Sequence, residues 1–228
     1  MTSEHTLRSF DVALGDLDRK LGDMARRVVS MIETAMTAFR RADIAAAQSV
    51  IAQDPEIDRA FDAINAAVLD LLVRFQPLAR DLRDIVAAQR IASNIERIAD
   101  HAKGIGKRTI ALAGPTGSPR ALATITEMER LVLESFRDVI AALETREIGS
   151  AEAVISKDEQ IDRRYDDLFH IVIADLKCTP EAANNDVQVL FVGKAIERIG
   201  DRLTNIAEEI RFMLKGEMPT ATRGTHAS

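Results

Sequence analysis

The feature that most constrains this chain is that it repeats itself. Residues 24–54 match residues 128–158 without a gap. Val28 stands where Val132 does, Ile44 where Ile148 does, and Val50-Ile51 where Val154-Ile155 does. Asp54-Pro55-Glu56-Ile57-Asp58 likewise answers Asp158-Glu159-Gln160-Ile161-Asp162. Further on, Ile95-Glu96-Arg97-Ile98-Ala99-Asp100 returns as Ile196-Glu197-Arg198-Ile199-Gly200-Asp201. The first match has an offset of 104 residues and the second of 101, so the second copy is three residues shorter in between. Pattern, motif and loop position recur in order, which marks an internal duplication of one unit.

Each unit reads as helices. Leu7, Phe10, Leu14, Leu17, Leu21, Met24, Val28, Met31 and Ala35 step by three and four, the stripe of a long amphipathic helix reaching about Arg40. Asp43 stands as the N-cap of a second helix carrying Val50, Ile57, Ile64, Val68 and Leu71. Pro55 interrupts that pattern. Either the helix kinks there, or it restarts with Asp54 as N-cap and Pro55 at the first helical position. Arg74 to Asp81 predicts a short connection, because Pro77 disfavours helix at Gln76. A third helix follows from Leu82 through Ile105, its end weakened by Gly104 and Gly106.

Short connections force antiparallel neighbours. The expected fold is therefore all-α: two tandem three-helix bundles with six long antiparallel helices. Gly114-Pro115-Thr116-Gly117-Ser118-Pro119 divides them, since this run cannot continue a helix. The expected boundaries are residues 1–113 for the first bundle, 114–119 for the linker, 120–216 for the second bundle and 217–228 for a frayed tail.

Composition agrees and removes several function classes. Hydrophobic residues make up 46% but aromatics only 4%, with no Trp, which suits helices packed by aliphatic side chains. The net charge is −6 and no basic run stands out, so a nucleic-acid footprint is unsupported. Cys178 is the sole cysteine and forbids an intramolecular disulfide. No apolar run reaches the ~18 residues needed to span a bilayer. Met1 to Asp11 is polar and does not read as a secretory signal. A cytoplasmic protein is expected.

The repeated acidic residues are the candidate site. On a helix, residues four apart share a face, so Glu96 and Asp100 project side by side, as do Glu197 and Asp201. Like charges at that spacing cost an isolated helix a few tenths of a kcal/mol, roughly. A bound cation would offset the repulsion; so would the adjacent Arg97 and Arg198. Asp54 and Asp58, and Asp158 and Asp162, form further pairs on the second helix of each unit. Packed helices lie about 8–10 Å apart. Two facing pairs then give each unit four carboxylates, an oxygen-only set suited to Mg²⁺, Mn²⁺ or Ca²⁺ and able to hold iron. The competing reading is a solvated acidic face partnered by Arg or Lys. If Asp54 were an N-cap, its carboxylate would turn to the helix end and not to a metal.

Other residues carry less. His101 could add a nitrogen ligand, but its echo is Arg202, so a surface role is expected. Asn205 and Glu209 extend the second acidic ridge in steps of four and could support a site at its rim. A ferritin-like di-iron site needs two Glu-x-x-His motifs, and only Asp167-Leu168-Phe169-His170 comes near. Cys178 lies in a loop without a nucleophile motif and reads as a bystander thiol. Gly104-Ile105-Gly106 follows no strand and is no phosphate loop. Phe212-Met213-Leu214 reads as core packing.

The chain resembles the PhoU family of phosphate-specific transport accessory proteins. The matching pieces are Gln76-Pro77-Leu78-Ala79-Arg80-Asp81-Leu82-Arg83, the two Ile-Glu-Arg-Ile-x-Asp motifs, and Asn205-Ile206-Ala207-Glu208-Glu209 with Phe212-Met213-Leu214-Lys215-Gly216. The resemblance runs from about Phe10 to Glu217. It implies two similar three-helix bundles with metal bound at the surface of each. The ligands carried over are Asp54, Asp58, Glu96 and Asp100, then Asp158, Asp162, Glu197 and Asp201. The cation would be divalent or iron: Mg, Mn, Fe or Zn. The resemblance also implies a homodimer, not an enzyme, that restrains phosphate uptake and the phosphate-starvation response. It would dock on the phosphate transporter ATPase subunit and on the phosphate sensor histidine kinase, meeting the membrane only through them. This chain departs from the family pattern at Pro55, and its second loop lacks the Gln-Pro-Leu-Ala-Arg-Asp-Leu-Arg run. The alternatives from other classes are a carboxylate-bridged metal enzyme or metal store, and a purely structural helical scaffold.

Overall fold

The computed structural model describes residues 2–112, 117–179 and 183–216. Residues 114–116 of the expected linker, Pro180-Glu181 of the second loop and the expected tail at 217–228 lie outside the described residues. The described chain forms six helices: α1 Thr2–Arg41, α2 Ile44–Phe75, α3 Ala79–Ile110, α4 Pro119–Thr145, α5 Ile148–Cys178 and α6 Ala183–Lys215. Helices α1–α3 pack on one another, as do α4–α6, and the two three-helix bundles join through α3 against α6 and α1 against α4. Among the described residues no helix is long and apolar enough to cross a membrane.

Local chemistry sets the helix ends. Asp43 caps α2, its carboxylate accepting the Ala46 N–H at 3.0 Å. Ser118 caps α4 through the Ala121 N–H at 3.2 Å, with Pro119 at the first helical position. The α1–α2 and α4–α5 connections are two residues long. Each turns on a non-glycine residue in the left-handed region, Ala42 at φ 50° and Arg146 at φ 58°. These are equivalent positions of the repeat, and each costs about 1 kcal/mol of backbone strain.

The structure decides one open reading and corrects two boundaries. Of the two readings of Pro55 the restart is excluded, because α2 runs through this exposed residue. The connection after α2 is only Gln76 to Leu78, shorter than Arg74 to Asp81, because Gln76 closes α2 in the left-handed conformation, its N–H reaching the Leu72 carbonyl at 3.2 Å. The third helix does not end at Ile105 but continues past Gly104 and Gly106 to Ile110. At Gly106 a Cβ would sit 3.1 Å from the Ala47 carbonyl oxygen, so this glycine lets α2 and α3 approach closely.

The buried side chains form one cluster through both bundles, from Leu17, Met24 and Phe39 to Phe136, Val192 and Ile206. Phe212 and Leu214 pack partly buried against it, with Met213 inside. The bundles meet about an approximate twofold axis. On α1 and α4, Glu33 faces its own counterpart Arg137 at 3.5 Å. Arg40 with Glu129 on one side is answered, within one residue of register, by Glu144 with Arg26 at 2.8 Å on the other. On α3 and α6, Arg90 meets Glu209 at 3.4 Å. The counterpart pair is Phe191 and Arg108, whose guanidinium lies 4.1 Å from the ring centroid.

One residue ties the bundles at a turn. Arg146 donates to Asp84 on α3 at 3.1 Å and to Asp18 on α1 at 2.9 Å, and it touches the Met213 sulfur on α6 at 3.0 Å. Asp84 is buried, and burial pushes its carboxyl up against the pull of Arg146 and Arg80. Arg146→Ala strands that buried carboxylate and is expected to cost about 2 kcal/mol in urea unfolding, less than for a fully buried pair because Arg146 is partly solvated. Adding Asp84→Asn should recover most of the loss; no recovery would mean that the guanidinium acts mainly by packing.

Candidate metal centre

The second bundle assembles the tighter acidic site. Asp158 and Asp162 lie one turn apart on α5, and Glu197 and Asp201 one turn apart on α6. Asp158, Asp162 and Asp201 each offer an oxygen within 4.8 Å of the others, a group that can hold a metal ion. Gly200 permits this approach. A Cβ there would stand 3.1 Å from Asp158 Oδ1 and 3.1 Å from the Ile161 side chain. Glu197 lies beside the group and is only 7% exposed. Its Oε1 accepts from Lys194 at 2.7 Å, and Lys194 is held over the Tyr165 ring at 5.0 Å. Asp201 accepts from Arg198 at 3.1 Å.

Positive charge reaches the site from Lys194 and Arg198, both on α6. Burial first, then repulsion from Asp162 and Asp201, push the Asp158 carboxyl from its ordinary 3.8 up to about 6, against the pull of the nearby Thr204 hydroxyl. Burial also raises Glu197, against the Lys194 hydrogen bond. Asp158 Oδ1 and Glu197 Oε2 are buried and accept no hydrogen bond among the described residues, with Arg198 Nε at ion-pair distance, 3.7 Å, from Glu197 Oε2. A cation beside Asp158 would offset the repulsion there. The donor set, all carboxylate oxygen, fits a hard cation.

The first bundle holds the same four positions differently. Asp54 and Asp58 lie on α2, Glu96 and Asp100 on α3. Asp54 is an interior residue of α2 and not its cap; its carboxylate accepts a hydrogen bond from Lys103. The Lys103 ammonium is also 3.7 Å from Asp100. Glu96 has Arg97 at 3.7 Å and is raised by burial, then by Asp100. Asp58 and Asp100 are exposed. Among the described residues these four do not close to the spacing of Asp158, Asp162 and Asp201.

Two neighbours differ from expectation. His101 is half-buried and not a surface residue, because the α3–α6 packing sets it near Arg202 and Arg198. Burial, then Arg202, lower its pKa. Glu209 supports no rim of the acidic site; it is engaged across the bundle interface by Arg90. The acidic spacing alone does not single out Lys103 or Gly200. Their signal was available in the repeat, where Lys103 answers Thr204 and Gly200 answers Ala99.

The PhoU domain family matches residues 21–109 and 125–210, one match in each bundle. The chain belongs to the PhoU family. It is 35% identical over 221 residues to the phosphate-specific transport system accessory protein PhoU homolog of Caulobacter vibrioides NA1000, covering 97% of this chain and 96% of that protein. With the homolog of Rhizobium meliloti 1021 it shares 34% over 224 residues, covering 98% and 94%. The crystal structure of PhoU from Pseudomonas aeruginosa superposes with a TM-score of 0.86 at 27% identity, covering 91% of this chain and all of that one. The phosphate transport system regulatory protein PhoU from Streptococcus pneumoniae gives 0.85 at 27%, covering 92% and 98%. The PhoU family is regulatory and not catalytic.

The raised Asp158 carboxyl gives a signed pH effect. It binds its proton more tightly in the folded than in the unfolded chain, so without metal it lowers stability as pH rises from about 4 to about 6. With chelator present, Asp158→Asn is expected to stabilise the protein at pH 7 by roughly 1 kcal/mol, after allowing for solvent screening, and to be neutral near pH 4. Urea unfolding at the two pH values measures this; an equal effect at both would remove Asp158 ionisation as the cause.

Proposed function

We propose that this PhoU protein is a negative regulator of phosphate uptake and of the phosphate-starvation response. It acts in the cytoplasm as a homodimeric helical adaptor. It docks on the ATPase subunit of the phosphate ABC transporter and on the phosphate sensor histidine kinase, and reaches the membrane only through them. The observation that carries this reading is the family match in both bundles over nearly the whole chain. The relatives' names place them in phosphate-specific transport.

A surface suited to docking supports the reading. Where α2 turns into α3, Leu69, Val73 and Leu78 are 62%, 75% and 79% exposed. Arg74 and Arg80 flank them. Exposed apolar side chains ringed by arginines are the composition of a protein interface core and rim. In the second bundle, Asp158, Asp162 and Asp201, with Glu197 beside them, would hold a divalent or iron cation. That cation would supply positive charge between α5 and α6, where Asp158, Asp162 and Asp201 converge.

The test is made in a strain lacking the native gene. The parent chain should restore repression of a phosphate-starvation reporter at high phosphate and should recover the transporter ATPase or the sensor kinase by affinity capture. Val73→Glu with Leu78→Glu should abolish both while leaving thermal unfolding nearly unchanged, since both positions are exposed. Full repression by this variant would remove the α2–α3 surface from the mechanism, and no repression by the parent would remove the regulatory reading itself.

A further inference from the structure

The repeat breaks its own pattern in the core of the second bundle. Leu71 near the end of α2 and Ile85 near the start of α3 are core residues, 1% and 0% exposed. Their counterparts, at the offsets of 104 and 101 residues, are Asp175 near the end of α5 and Asp186 near the start of α6. Asp186 is nearly as buried as the isoleucine it answers, at 3% exposed. The Oδ2 atoms of Asp175 and Asp186 are both buried and accept no hydrogen bond among the described residues. Two aliphatic side chains in one copy have become two carboxyls in the other. The exchange removes apolar packing and adds the desolvation of unpaired oxygens.

No neighbouring charge offsets this cost. Burial first, then repulsion from Asp175, raise the Asp186 carboxyl, and among the described residues no cation pulls it down. Its place in the first turn of α6 favours a negative charge, but burial outweighs that. The cations on the surrounding elements are engaged elsewhere or face outward. Arg108 on α3 lies over Phe191, Arg120 on α4 lines an open groove beside Ala174, and Lys177 on α5 is exposed. In the first bundle the buried carboxyl at the corresponding tip, Asp84, is held by Arg146 at 3.1 Å. The counterparts of Arg146 and Asp84 are Ala42 and Asn185, which carry no charge. Both ends of the molecule keep an ion pair between α1 and α4, Arg26 with Glu144 and Arg40 with Glu129. What differs is the tip where the second and third helices of each bundle meet.

We propose that the α5–α6 tip is a built-in yielding point: the last turn of α5 and the first of α6 open locally while the rest of both bundles stays folded. Asp175 and Asp186 drive the opening, because water solvates in the open form the oxygens that the closed core leaves unpaired. The α2–α3 tip is the fixed counterpart, filled by Leu71 and Ile85 and held by Arg146 from the other bundle. A duplicated frame thus carries one rigid tip and one that changes shape without breaking the seam between the bundles.

The experiment is amide hydrogen exchange of the full chain, read peptide by peptide by mass spectrometry. Peptides over residues 168–176 and 184–192 should be protected roughly tenfold less than their counterparts over 64–72 and 83–91. Asp175→Leu with Asp186→Ile, which copies the first bundle, should slow exchange in the second-bundle peptides by a similar factor and leave α1 unchanged. Asp186→Asn removes the charge and keeps the shape. It should slow the same peptides in part, and it decides the question if circular dichroism shows the double variant misfolded. Equal protection of the two tips in the parent, or no slowing in a folded variant, overturns the proposal. Arg146→Ala should speed exchange over 83–91 and not over 184–192; the reverse pattern overturns the assignment of the fixed tip.

Discussion

The antiparallel packing of α3 against α6 is the constraint on which the other arrangements depend. Those two helices carry the repeated Glu-Arg-Ile-x-Asp motif, and each also closes its own bundle. Their apolar faces, with Ile91, Ile95 and Ile98 on one and Ile196, Ile199 and Leu203 on the other, are fully buried. The acidic residues are thereby turned to the flanking grooves with α2 and α5. Each groove is then fixed by helix separation and not by a flexible loop, which is the condition for placing several carboxylates within a few ångströms. The interbundle ion pairs on α1 and α4 are mostly exposed and contribute little energy individually.

An approximate twofold axis with unlike residues on its two sides has a consequence for charge. Arg90 with Glu209 and Arg108 over Phe191 occupy equivalent positions with different chemistry. Lys103 and Thr204 do so again at the acidic grooves. A symmetric backbone can therefore present two faces of different electrostatic character. His101 lies between the motifs at this seam. Burial, then Arg202, lower its pKa, which disfavours a further positive charge there.

The repeat and the three-four stripe made the helices legible in the sequence, because apolar period and turn residues are local properties. Asp43 could be read as a cap for the same reason. Pro55 could not, since whether a helix tolerates a proline depends on how that face is packed, and only the fold shows Pro55 on an exposed face. Gly106 misleads for a related reason: its helix cost is local, and the close approach to Ala47 that compensates it is tertiary. In the site, i,i+4 spacing found the right carboxylates but treated the halves as equal. The asymmetry lies in Lys103 and Gly200, which are not carboxylates at all. It becomes visible only when equivalent residues are compared for what they place in the groove.

The two grooves draw their positive charge from different places. In the first bundle Lys103 on α3 reaches across to Asp54 on α2, so the cation ties two helices together. In the second, Lys194 and Arg198 answer Glu197 and Asp201 from α6 itself, so the charge is met within one helix. Asp158 on α5 is then left to burial and to the repulsion of Asp162 and Asp201, which raise its carboxyl. Because α6 also packs against α3, the groove that carries this unbalanced charge shares a helix with the interbundle seam.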